Sequence, residues 1–288
     1  MHRFALMAYT DRAEAVKWAH YAANRLLEEG ADVYLEDSLA EVTPQEILNN
    51  CKTCAATDFE RYADMVITFG GDGTLLAASH LLIGTDVPIM GINVGKLGFL
   101  AEYPVAMVDD GIMAVLKGDY RVVDRSTLEV VWGAQTVRAL NEVMVERASG
   151  AKMITVRACI NEHHVADFRS DGVLVATPTG STAYSLAAGG PIISPSAEVF
   201  CLTAVSPHSL TVRPFVISDD SEIRLEIPAE APEAQLVADG RTVGMMKSGD
   251  SVVIRKSEYP IKLVKRAENT YYDLLREKLL WSADPTRK

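Results

Sequence analysis

The hydrophobic period of this chain changes once, near residue 120, and that change restricts it to a two-part architecture. On the N-terminal side, short apolar runs alternate with stretches of helical spacing. RFALMAY (3–9) reads as a strand, 13–29 as an amphipathic helix stopped by Gly30, and ADVYLE as a second strand. Thr43 and Glu46 flank Pro44 in the pattern of a capping box, which predicts a short helix there. DMVITF is a third strand, 74–82 a helix, PIMGIN a fourth strand, and 107–117 a helix closed by Gly118. Such alternation predicts a parallel sheet covered by helices.

Beyond residue 120 the runs shorten and become β-like: RSTLEVVWG, TVRALNEVMVER, KMITVRACI, HHVADF, GVLVA, FCLTAV, EIRLEI, QLVAD and SVVIRK. Asn161-Glu162 and Asp239-Gly240 stand where hairpin turns fall. A mostly-β domain over 124–268 is expected, a sandwich or layered sheets. YYDLLREKLLW then returns to helical spacing, and its apolar face needs a surface to cover it. The expected domains are therefore 1–123 together with 269–288, the last helix packing back on the first domain, and 124–268.

Composition excludes several classes of function. Runs such as MVITF and GVLVA are far shorter than a membrane span, and the N-terminus meets charge too early for a signal peptide. A cytoplasmic protein without membrane contact is expected. A formal charge of −11 argues against a nucleic-acid surface but leaves room for nucleotides, which need only local cations. Cys51 and Cys54 lack the second pair a zinc site requires, and the C-K-T-C stretch reads as a polar connection carrying free thiols. His163 and His164 alternate across a strand, so they do not chelate one metal.

Three clusters carry chemistry. The first is GGDGT, 70–74, between a strongly apolar strand and a helix, the position where open α/β sheets bind ligands. Its glycines let backbone N–H groups approach a phosphate. It has neither the Lys-Ser/Thr of a Walker loop nor the spacing of a dinucleotide fingerprint. Asp72 has two compatible readings: it accepts the proton of an attacking hydroxyl, or it caps the following helix.

The second cluster is RSDGVLVATPTGSTAYSLAAGGPI, 169–192. Either it is a surface loop with a short helix, or it is a nucleotide pocket. In the pocket reading, hydroxyls bond to sugar and base, Tyr184 stacks, Asp171 accepts from an exocyclic amine and Arg169 pairs with phosphate. The third is the Asn141-Glu142 pair, which either bonds the two hydroxyls of a ribose or is an exposed strand end. His208 and Arg213 lie in SPHSLTVRP, a loop that could brace the site or touch phosphate.

Together these stretches resemble the NAD kinase family, which phosphorylates NAD to NADP. FGGDGTLL, GINVGKLGFL, NEVMVER, DGVLVATPTGSTAYSLAAGGP and SPHSLTVRP follow one another over about residues 66–217. The third and fourth are specific to that family, whereas GGDGT alone also occurs in lipid kinases and phosphofructokinases. The resemblance implies a Rossmann-like N-terminal domain, a β-rich C-terminal domain, NAD bound between them, and a homodimer or homotetramer. It implies Asp72 as the base acting on the adenosine ribose 2′-hydroxyl, with Gly73 touching the same nucleotide. Asn141 and Glu142 would hold NAD hydroxyls, Asp171 would read the adenine amine with Arg169 beside it, and Lys152 would make a further NAD contact. Thr182, Ala183, Tyr184, Ser185, Leu186 and Ala187 would line adenine and ribose. A divalent cation, Mg²⁺ or similar, would arrive with ATP or another phosphoryl donor such as polyphosphate. Arg241, after the Asp239-Gly240 turn, departs from the expected polar residue and could meet a phosphate. Two alternatives stand beside this reading: a lipid kinase of the diacylglycerol or sphingosine type, which needs an apolar acyl cavity, and a nucleotide sensor without catalysis.

Overall fold

A computed structural model of the protein describes residues 2–96, 98–148, 152–229, 231–266 and 270–281. It divides into two units, 1–124 with 261–288, and 125–260. In chain order the first unit begins with β1 (Arg3–Ala8), α1 (Ala13–Glu28), β2 (Asp32–Glu36), α2 (Asp37–Glu41), α3 (Gln45–Leu48) and β3 (Lys52–Cys54). It continues with α4 (Phe59–Tyr62), β4 (Met65–Gly70), α5 (Asp72–Leu82), β5 (Ile89–Asn93), β6 (Tyr103–Pro104), α6 (Val108–Lys117) and β7 (Arg121–Arg125). The second unit holds β8 (Leu128–Trp132), β9 (Gln135–Ala139), β10 (Glu142–Arg147), β11 (Ile154–Ile160), β12 (His163–Ser170) and β13 (Gly172–Ala176). After α7 (Tyr184–Ala187) come β14 (Val199–Val205), β15 (Phe215–Ser218), β16 (Ile223–Glu226), β17 (Ala234–Ala238), β18 (Arg241–Met246) and β19 (Ser251–Lys256). The chain then returns to the first unit with β20 (Ile261–Lys265) and α8 (Tyr271–Leu279).

In the first unit the strands order as β3-β2-β1-β4-β5-β20-β7, with β6 beside β5. β1 to β5 and β20 pair in parallel, as continuous apolar runs buried on both faces require. β4 is buried along its whole length, and one core joins Leu6, Ile67, Phe69 and Ile92 to the buried stripe Ala15, Ala19, Ala22, Ala23 and Leu26 of α1. Gly30, at φ +78°, ends α1 in the left-handed region as its sequence position predicts.

Four local readings need correction. The Thr43 capping box does not form: α3 has no side-chain cap, and the Thr43 hydroxyl donates to the Leu39 carbonyl. Lys52–Cys54 is a short parallel edge strand on β2 and not a connection; Cys51 and Cys54 remain free thiols, with burial pushing Cys54 up to about 11. α5 starts at Asp72, two residues before the predicted start at 74. The expected β-rich domain of 124–268 takes in residues 261–265, yet these form β20, which pairs with β5 in the parallel sheet, because a strand buried on both faces there fits the IKLVK run. Residues 267–269 and 282–288 of the predicted C-terminal segment lie outside the described residues.

The second unit is two antiparallel sheets of six strands each, β15-β14-β13-β10-β17-β18 and β12-β11-β16-β19-β8-β9. Val143, Val145, Val173, Val175, Phe200 and Leu202 of the first meet Leu128, Val130, Val156, Phe168 and Leu225 of the second in a common core. Asn161 (φ +49°) and Glu162 (φ +66°) form the two-residue turn between β11 and β12, and Asp239 (φ +47°) with Gly240 (φ +74°) that between β17 and β18. The predicted strand TVRALNEVMVER breaks into β9 and β10, with Leu140 and Asn141 at the break. Strand alternation turns Glu142, Met144 and Glu146 away from the sandwich core, onto a face where Met144, Leu174, Ala176 and Val205 form a small cluster. Among the described residues no helix is long and apolar enough to cross a membrane.

Candidate active site

The turn after β4 shows which of its glycines the fold itself needs. A Cβ on Gly70 would lie 2.1 Å from the Thr74 hydroxyl, so packing demands glycine there. A Cβ on Gly71 or Gly73 would meet nothing within 4 Å, and neither residue has the positive φ that calls for glycine. Among the described residues nothing needs those two positions to be bare.

Asp72 opens α5 but does not cap it; the N-cap is Gly71, and no side chain caps the helix. Its carboxylate instead crosses to the loop after β5. Phe99 N–H donates to Oδ2 at 2.7 Å, and Leu100 and Ala101 N–H both donate to Oδ1 at 3.0 Å. The helix-cap reading is thereby corrected to a brace on the loop. Gly98 makes the approach possible, since a Cβ there would sit 1.8 Å from Asp72 Oδ1. The loop is also tied at its start, where the Arg12 guanidinium donates to the Val94 carbonyl and Val94 N–H donates to Gly70 O at 2.7 Å. Lys96 is exposed between the two ties.

The second unit holds its polar residues through a carboxylate that sequence reasoning left as a plain turn residue. Asp239 accepts the N–H groups of Leu140, Asn141 and Glu142 at 2.7, 2.8 and 3.0 Å, fixing the corner between β9 and β10. Glu142 is 8 % exposed, so the exposed strand-end alternative fails. Its carboxyl is pushed up to about 7 by burial and by the Asp239 charge, against one hydrogen bond from the Tyr184 backbone. Glu142 Oε2 has no partner among the described residues.

The segment 177–183 docks on this corner and is no surface loop; residues 177–181 are buried throughout. Thr177 donates through its hydroxyl to Leu140 O at 2.6 Å and through its N–H to Asn141 O at 2.8 Å. Gly180 lies so close that a Cβ would be 2.1 Å from Asn141 O. The hydroxyls expected to read sugar and base are largely committed to backbone: Ser181 donates to Pro178 O at 2.7 Å, and Thr182 to Thr179 O at 3.3 Å. Ser185 Oγ is the exception, buried without a partner among the described residues. Tyr184 leaves the segment 43 % exposed, with Ala183, Leu186 and Ala187 around it.

Two adjoining clefts of about 370 and 220 Å³ share Met144, Glu146 and Tyr184. Asp171 lines the larger, Glu142 and Asp239 the smaller. Arg147 Nε lies 2.9 Å from Asp171 Oδ1, and Glu146 accepts from Gln235 at 2.6 Å. Arg169 is exposed on β12, beside the inward-facing Phe168, and Lys152 is exposed ahead of β11. Arg241 is exposed at the start of β18. Arg213 braces its own loop by donating to the Leu210 and Val212 carbonyls. Among the described residues no group of three or more His, Cys, Asp or Glu is placed to hold a metal ion.

Residues 4–120 match the family model of the ATP-NAD kinase N-terminal domain, and residues 140–266 that of the ATP-NAD kinase C-terminal domain. The chain belongs to the NAD kinase family. The NAD kinase of Prosthecochloris aestuarii is 38% identical over 283 residues, 97% of each chain. That of Methanothermobacter thermautotrophicus is 36% identical over 285 residues, again 97% of each. Among solved structures, an Archaeoglobus fulgidus NAD kinase in complex with ATP has a TM-score of 0.76 at 29% identity, covering 96% of this chain and 98% of that one. The yeast NADH kinase complexed with NADH shares the fold, with a TM-score of 0.90 at 24% identity over 100% of this chain and 90% of its own. Both the Asp72 turn and the Asn141-Glu142 corner fall inside the matched NAD kinase domains.

Proposed function

We propose that this protein phosphorylates NAD at the 2′-hydroxyl of its adenosine ribose, with ATP as donor, to give NADP. The observation that carries the reading is the likeness to curated NAD kinases over 97% of the chain, which takes in both units. The lipid-kinase alternative finds no support among these relatives; both clefts of the second unit are small, and the larger is polar-lined, unlike an acyl cavity. The geometry suits the chemistry as well. Bare Gly71 and Gly73 at a strand-to-helix turn leave N–H groups open to phosphate, an arrangement their own packing does not require.

In this reading Asp72 takes the proton of the 2′-hydroxyl as that oxygen forms its bond to the γ-phosphorus, the bond to the β-γ bridging oxygen breaks, and ADP leaves. Asn141 and Glu142 hold ribose hydroxyls; the orphan Oε2 of Glu142 is free to accept one. Asp171 and Tyr184 serve the adenine, the first by accepting from its amine and the second by stacking, with Gly73, Thr182, Ala183, Ser185, Leu186 and Ala187 as neighbours. Lys152, Arg169 and Arg241, all exposed, are cations available to phosphate. Mg²⁺ enters with ATP as part of the donor substrate. A cytoplasmic homodimer or homotetramer fits the four free thiols and the family.

The test is incubation of the purified protein with NAD, ATP and Mg²⁺, with NADP read by an NADP-specific dehydrogenase. NADP formation is expected; its absence from folded protein refutes the assignment. Replacing ATP by polyphosphate, or NAD by NADH, in the same assay ranks the donors and acceptors.

A further inference from the structure

Lys265, the last residue of β20, is a buried cation that the phosphoryl transfer described above does not use. It is only 4 % exposed, and its Nζ lies 2.6 Å from Oε1 of Glu102, a carboxylate that is itself largely buried. A buried ion pair seldom stabilises a fold more than apolar residues of similar size would, so stability alone gives little reason to keep one here. What sets this pair apart is a second bond of the ammonium. Nζ also donates to Leu100 O at 3.2 Å.

That carbonyl belongs to the peptide unit joining Leu100 to Ala101, and the N–H of the same unit is the one that Ala101 donates to Asp72 Oδ1 at 3.0 Å. A single planar amide therefore links the ammonium to the carboxylate. A donor on the carbonyl oxygen draws electron density through the amide and makes its N–H the stronger donor, by about 10–30% per bond. The Phe99 and Leu100 N–H groups, which also bind Asp72, belong to other peptide units. Ala101 is 1 % exposed, and a Cβ on Gly91 would lie 2.8 Å from its Cα, so this stretch is packed against β5 away from solvent. Glu102 offsets the lysine charge. What reaches Asp72 is thus the orientation and polarisation of one amide, and not a net charge.

We infer that Lys265 is a positioning residue for Asp72: it fixes and polarises the Leu100–Ala101 amide, and that amide holds Oδ1 while the carboxylate meets the hydroxyl it deprotonates. The inference rests on the kinase reading for the role of Asp72. It adds to that reading a residue separated from Asp72 in the chain by the whole second unit.

The test compares Lys265→Met/Glu102→Gln with the wild type and repeats the two substitutions on Asp72→Asn. Glu102→Gln is included so that no unpaired charge stays buried. Lys265→Gln, whose donor sits closer to the backbone by a single bond, takes the place of methionine if that variant does not fold, with the same results expected. Turnover should fall about tenfold or more, since a misplacement of about 1 Å at a catalytic group can cost ~10²-fold. The KM values for NAD and ATP should stay within about twofold, because substrate binding is not what the amide serves. On Asp72→Asn the same substitutions should cost less than about twofold further, their route to the reaction having already been cut. In ¹H–¹⁵N spectra the Ala101 amide proton should move upfield by more than that of Phe99, as its own peptide unit loses the ammonium.

Turnover within a few-fold of wild type overturns the inference. So does a loss carried by KM, or one repeated in full on Asp72→Asn; either would make the pair plain scaffold. An Ala101 signal that moves no more than that of Phe99 overturns it equally. Where Asp72→Asn turns over too slowly to measure, the Ala101 signal replaces that arm of the comparison. If the wild type forms no NADP, the kinase reading fails, and the Ala101 signal still decides whether Lys265 holds Asp72.

Discussion

Replacing Asp72 by Asn separates the two things this carboxylate does. Oδ1 receives two backbone N–H groups and Oδ2 one, so an amide can serve only part of the set. The least costly rotamer keeps the amide oxygen toward Leu100 and Ala101 and turns its NH₂ onto the Phe99 N–H. One charge-assisted hydrogen bond is then lost, about 1.5–3 kcal/mol. At roughly 2–4 °C per kcal/mol for a unit of this size, the melting temperature should fall by about 3–12 °C. A typical stability of about 5–15 kcal/mol would leave the variant almost wholly folded at 25 °C, so unfolding cannot account for more than a minor loss of rate. As a general base, Asp72 should instead cost about 10²–10⁴ in turnover on substitution. Calorimetric melting and NADP formation, measured on the same preparation, read the two effects apart. A lower melting temperature with turnover within a few-fold of wild type would reduce Asp72 to a brace. An unchanged melting temperature would refute the triple hydrogen bond itself.

Gly98→Ala leaves the carboxylate in place chemically but drives a methyl to within 1.8 Å of it; both melting temperature and turnover should fall, and retention of either at the wild-type value contradicts the contact. Glu142 keeps its proton up to about pH 7 in the fold but only to the ordinary carboxylate range when unfolded, so the folded state binds more protons between them and stability declines as pH rises through that window. Glu142→Gln should flatten the decline in melts from pH 5 to 8, and a curve parallel to wild type counts against the shift. Gly180→Ala places a methyl 2.1 Å from Asn141 O and should weaken NAD binding far more than ATP binding; equal affinity for NAD in a titration would show that the corner is not part of the acceptor site.

The layer architecture was legible because strand and helix periods are imposed by burial, and burial is written in every apolar residue. β4 and β13 show this well: each is buried along its whole length, β13 reads as an unbroken apolar run, and β4 is broken only by Thr68. What stayed hidden were carboxylates whose partners are backbone N–H groups. The sequence offers Asp72 as a base or cap, and its hold on 99–101 leaves no mark, because any residue can supply an N–H. Asp239 carries one usable signal, the Asp-Gly pair of a hairpin turn, yet its grip on 140–142 spans about a hundred positions. The ion pair between Arg147 and Asp171 left no mark for a similar reason, since β10 and β12 belong to different sheets and 24 positions separate the two residues.

The strand β20 has a consequence for how the molecule is made. It lies between β5 and β7, but the whole second unit separates it from them in the chain. That unit closes at its own neck, where Thr127 donates to Tyr259 O at 2.7 Å and accepts from Ser257 N–H at 2.9 Å. A ribosome therefore releases β5 with only the short β6 on its outer side and β7 with no strand to pair with, and then a complete β sandwich before the missing strand emerges. Until Lys265 arrives, Glu102 lacks its ion-pair partner. The part of the protein that is synthesised first is thus the last to be finished, and a chain halted at Pro260 would carry an intact sandwich on an open, adhesive sheet.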